Sequence, residues 1–77
     1  DKGHLMDIFE IEQKETVTRE EAAKRLHVIA DMLARNNDVE FERDGIKIKA
    51  HVPDEVKLKI EFEVETDERE LEIELTW

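Results

Sequence analysis

From residue 56 to residue 77 the chain places Val56, Leu58, Ile60, Phe62 and Val64, and then Leu71, Ile73, Leu75 and Trp77, at every second position, with lysine, glutamate or threonine between them. Successive side chains of a strand point to opposite faces, so this spacing predicts two strands, each with one dry face, joined by a turn at residues 66–68. Earlier, Val39 and Phe41 alternate with Glu40 and Glu42, while Ile46, Ile48, Ala50 and Val52 alternate with Lys47, Lys49 and His51. The Asp44-Gly45 pair between them is a strong hairpin signal, because a two-residue loop needs positive φ at its centre. If Arg43 faces Ile46, then Phe41 meets Ile48 inside, while Glu42 faces Lys47 and Glu40 faces Lys49 outside, all favourable pairs. Pro53 lacks an amide donor and is expected to break the run, with the next connection at residues 53–55. A shorter alternation, Phe9 and Ile11 with Glu10 and Glu12, predicts a first strand over about residues 7–14.

Between these strands the period changes. Thr18-Arg19-Glu20-Glu21 has the form of a capping box, in which a hydroxyl and a carboxylate satisfy amides that a helix start leaves unpaired. Ala22, Leu26, Ile29 and Leu33 follow at helical spacing as one apolar stripe, bordered by Ala30 and Met32, and the helix is expected to end near Asn36-Asn37. Glu20 with Lys24, Glu21 with Arg25 and Asp31 with Arg35 stand four residues apart and suit ion pairs. Val28 falls on the polar side.

The predicted order is β-α-β-β-β-β. One helix with one apolar stripe and strands with one apolar face are accommodated most economically by a two-layer α+β fold, one helix packed on a mostly antiparallel five-stranded sheet. The helix would cover Phe41, Ile48, Ile60, Ile73 and Leu75, with Leu26 in the core, and the first strand would lie at the free edge of the last. Residues 1–5, Asp-Lys-Gly-His-Leu, have the character of a vector remnant, so the domain is expected to span residues 6–77.

Composition narrows the function classes. The formal net charge is −10, with 44% charged residues. Nucleic acids and anionic membrane surfaces recruit lysine and arginine, so neither is an expected partner. The absence of cysteine excludes disulfides and thiolate metal sites and fits a reducing cytoplasm. Apolar runs are only a few residues long, too short to span a bilayer as a helix.

Several stretches together resemble the amphi-Trp domain of small bacterial and archaeal proteins. They are Phe9 and Ile11, the helix start Thr18-Arg19-Glu20-Glu21-Ala22-Ala23, the junction Val52-Pro53-Asp54-Glu55-Val56, and Leu71-Glu72-Ile73-Glu74-Leu75 closing on Trp77. The resemblance covers nearly everything after Met6 and implies the domain limits and the terminal tryptophan. It implies no activity, cofactor or catalytic residue.

Candidate chemistry is sparse. Without Ser, Cys or Tyr the chain lacks the usual nucleophiles, and no residues have triad-like spacing, so no enzyme activity, catalytic residue, cofactor or metal is expected. His27 and His51 without a thiolate partner make no zinc signature. The acidic row Glu61, Glu63, Glu65, Glu70, Glu72 and Glu74 is the feature with most functional reach. It reads as a solvated face that guards against edge pairing, or as a docking face for a basic protein. A weak divalent-cation or cationic-ligand patch is the alternative. Trp77 shares the inward parity of Leu71, Ile73 and Leu75, which suggests a core plug beneath the helix, or else an interface anchor. The expected function is a non-catalytic interaction module, binding a basic partner or self-associating through sheet edges or apolar rims.

Overall fold

The computed structural model describes residues 10–77. Its elements are α1 (Arg19–Asn36), β1 (Asp38–Arg43), β2 (Ile46–His51), β3 (Lys57–Val64) and β4 (Arg69–Thr76). The α+β class holds, but the strands form two separate antiparallel two-stranded sheets, β1-β2 and β3-β4, rather than one five-stranded sheet.

Local chemistry sets the element ends. The Glu21 amide donates to the Thr18 hydroxyl oxygen at 3.0 Å, which satisfies one of the amides at the helix start. The Glu21 carboxylate does not close the expected box; it accepts from the Arg25 guanidinium at 3.0 Å. The helix stops at Asn37, whose φ of 57° puts it in the left-handed conformation that asparagine tolerates. At the β1-β2 turn, Asp44 and Gly45 both have positive φ, 53° and 81°, as a twist-matched two-residue loop requires. The predicted register follows, with Arg43 opposite Ile46, Phe41 opposite Ile48 and Glu40 opposite Lys49.

The helix packs on β1 and not on β3 or β4. Its Met32 thioether lies 3.3 Å from the Glu40 amide. Val28, expected on the polar side, is exposed, and it borders the groove that Ile29, Met32 and Phe41 line between helix and strand. Leu26, expected in the core, is exposed. Among the described residues only Val39 and Val52 are buried hydrophobics, with Ile29, Leu33, Ile48 and Ala50 half-buried. The Val52 amide donates to the Asn37 carbonyl at 2.8 Å, so the ladder of the first hairpin runs one step past β2. At Pro53 the donor is lost and the chain leaves, and residues 53–56 carry it to a second hairpin that does not pair with the first.

The expected first strand is not formed over its described part. Residues 10–14 are irregular, and the rest of that expectation, including Phe9, lies outside the described residues. Ile11 lies in the groove beside Val28 and Phe41 and also near Ile46, against the first hairpin rather than at the β4 edge. Glu15 fastens this approach by pairing with Arg25 at 3.2 Å.

Candidate functional site

The β3-β4 hairpin carries the candidate residues. Leu58 stands opposite Leu75, Ile60 opposite Ile73 and Phe62 opposite Leu71. On the other face Lys59 stands opposite Glu74, Glu61 opposite Glu72 and Glu63 opposite Glu70. The period-two reading therefore holds residue by residue, and the Glu65 amide closes the turn on the Glu68 carbonyl at 2.8 Å. The layer above the apolar face is where expectation fails. The helix does not reach it, and Leu58, Ile60, Phe62, Val64, Leu71, Ile73 and Trp77 are 46% to 66% exposed. Trp77 is thus no core plug. It follows the last ladder pair at the open end, where it lines a hollow of about 520 Å³ with Glu55, Val56, Lys57 and Thr76.

The structure brings four of the six predicted acids together as two opposed pairs, Glu61 with Glu72 and Glu63 with Glu70, while Glu74 stands opposite Lys59 and Glu65 lies just beyond β3. Directly opposed like charges destabilise a ladder, and two such pairs lie side by side here. Lys59 offsets one end of the row. Its ammonium lies 3.5 Å from Glu61 and 3.8 Å from Glu72. Glu61 above all, then Glu72 and Glu74, raises the Lys59 pKa by favouring its charged form. At the turn end there is no such lysine, and Glu63, Glu65, Glu68 and Glu70 line a small hollow of about 70 Å³. Glu68 was not in the predicted row; its place in the turn is what turns it toward the others. Even so, no group of three or more acidic or histidine side chains among the described residues has a spacing that could hold a metal ion.

The other candidate side chains are scattered. His27 is exposed on the helix, and His51 pairs with Asp38 at 3.2 Å across the β1-β2 ladder. Lys49 also turns to Asp38, at 3.8 Å, rather than forming an ion pair with its register partner Glu40. No helix among the described residues is long and apolar enough to cross a membrane.

Sequence reasoning missed the exposed apolar face, because it placed these residues in a core. The available signal is one of proportion: a single apolar helical stripe has to serve two apolar hairpin faces. The family description of the Amphi-Trp domain matches residues 6–77. No curated protein and no solved structure matches the chain significantly.

Proposed function

Because the chain belongs to the Amphi-Trp domain family, a membership that brings no activity with it, we propose that it is a non-catalytic interaction module whose contact element is the β3-β4 hairpin. One observation carries this reading: an apolar row from Leu58 to Trp77 stands open to solvent on a regular two-stranded ladder. Contiguous apolar patches of this kind mark surfaces that another molecule covers. The opposite face adds a docking surface for a basic protein, built of Glu61, Glu63, Glu70, Glu72 and Glu74 with Glu65 at its end. Long-range attraction to that face would speed encounter and weaken with salt, while the apolar face would hold the complex. A reducing cytoplasm suits a chain without cysteine.

A photo-reactive amino acid at position 60, on the apolar face, and another at position 63, on the acidic face, test the proposal in the source cells. Discrete protein adducts from position 60 are expected, and adducts from position 63 that vanish in high salt would identify a basic partner. If neither position yields an adduct, the interaction reading falls. The second reading is diffuse, weak cation attraction to the glutamates around the turn-end hollow, Glu63, Glu65, Glu68 and Glu70, which have no spacing that could coordinate a metal ion. Calcium that stabilises the fold far more than sodium at equal ionic strength would move it to first place.

A further inference from the structure

We propose that the molecule covering the β3-β4 apolar face is a second copy of the same chain. The two hairpins would pack face to face as a four-stranded sandwich with their glutamate rows outward. This rests on the interaction-module reading and deepens it, since it names the partner and the face used.

Three observations converge on a second copy. The first is area. At ordinary residue sizes, the exposure of Leu58, Ile60, Phe62, Val64, Leu71, Ile73 and Trp77 leaves roughly 700–800 Å² open, close to the ~800 Å² that each side of a stable interface contributes.

The second is charge. A basic partner is drawn to the glutamate face, whereas the opposite face is a run of hydrocarbon pairs suited to another apolar sheet surface. The two acidic rows stay on the outside of such a sandwich, so copies that repel at long range can still join, and salt tightens their association.

The third is self-complementarity. The one charged residue at apolar-face parity is Arg69, opposite Val64 at the turn end, while Trp77 stands at the open end. Two copies packed with turn ends together would oppose their guanidinium groups. Reversed, each brings Arg69 toward the partner's open end, where the tryptophan ring can accept a cation on its face. The reversed arrangement places the centre of the hairpin, Ile60 with Ile73, on the two-fold axis.

Sedimentation of the purified chain over a concentration series, at low and at physiological salt, should show a species of twice 9.1 kDa whose association strengthens with salt. Because the chain has no cysteine, Ile60→Cys should form an intermolecular disulfide under a mild oxidant, many-fold faster than Glu63→Cys on the outer face. The pair Arg69→Cys with Trp77→Cys should cross-link between copies. Circular dichroism confirms that each variant is folded before it is scored. A monomer at every concentration and salt, or Ile60→Cys no faster than Glu63→Cys, overturns the proposal. If the purified chain is monomeric while position 60 still yields adducts with other proteins in cells, the second copy is the wrong occupant and the interaction module stands. If it is monomeric and neither position 60 nor position 63 yields an adduct, both fall.

Discussion

At the scale of single residues, Thr18, Gly45 and Lys59 each carry measurable weight. Thr18 accepts the Glu21 amide at the helix start, and Thr18→Ala should cost about 0.5–2 kcal/mol in a denaturant titration. Gly45 has a φ of 81° and open space where a Cβ would stand, so Gly45→Ala tests backbone strain alone; roughly 1–2 kcal/mol should be lost. Asn37 in the same region should tolerate glycine, since glycine is the residue most at ease there. Lys59 gives a pH signature. Its pKa is raised above 10.5 in the folded chain, chiefly by Glu61. A raised value means that its stabilising contribution is complete below 10.5 and is lost as pH rises through the higher folded value. Relative to Lys59→Gln, the parent should therefore lose its advantage in melting temperature over that alkaline window.

At the scale of elements, the two hairpins balance charge differently. In β1-β2 the register sets Glu42 against Lys47 and Glu40 against Lys49, so opposite charges face each other across the strands, although Lys49 makes its ion pair with Asp38. In β3-β4 it sets Glu61 against Glu72 and Glu63 against Glu70, with Lys59 offsetting only the first of these pairs. Glu63→Lys should convert a repulsive pair into an attractive one worth about 1 kcal/mol, raising the melting temperature by roughly 4–8 °C at low salt and fixed protein concentration. Monovalent salt should raise the parent's melting temperature and raise that of the variant less. A rise with salt but none with the substitution would assign the effect to ion occupancy instead of ladder repulsion.

At the scale of the whole molecule, the Cα radius of gyration of 14.4 Å exceeds the ~11.5 Å expected of a compact chain of this length. The extension follows from the connection. Val52 stays bonded to Asn37, Pro53 ends the ladder, and the second hairpin extends away from the layer formed by α1, β1 and β2. Truncation should expose the consequence. Val39→Ala and Val52→Ala remove the two buried apolar side chains among the described residues and should each destabilise a dilute sample. Ile60→Ala in the same dilute sample should cost far less than the 2–5 kcal/mol of a core truncation, because Ile60 is exposed in the single chain. Its cost should grow with protein concentration as association buries it.

Local rules were sufficient for the parts of the molecule that depend on neighbours in the chain. Period two assigned Leu58, Ile60 and Phe62 to one face and Glu61 and Glu63 to the other. Asp44-Gly45 determined the register of the first hairpin, because only one pairing follows from a two-residue turn, and Thr18 marked the helix start through the amide it satisfies. Alternation says which residues share a face, but not what lies above that face or which edge pairs with which. Those choices depend on contacts distant in sequence. The tertiary structure decided that α1 covers β1 alone, that Leu26 stays exposed like Val28, which borders the groove beside Phe41, and that Trp77 ends on a surface. A strand pattern predicts a dry face by its chemistry, and only the assembled chain shows that no other part of the described residues covers this face.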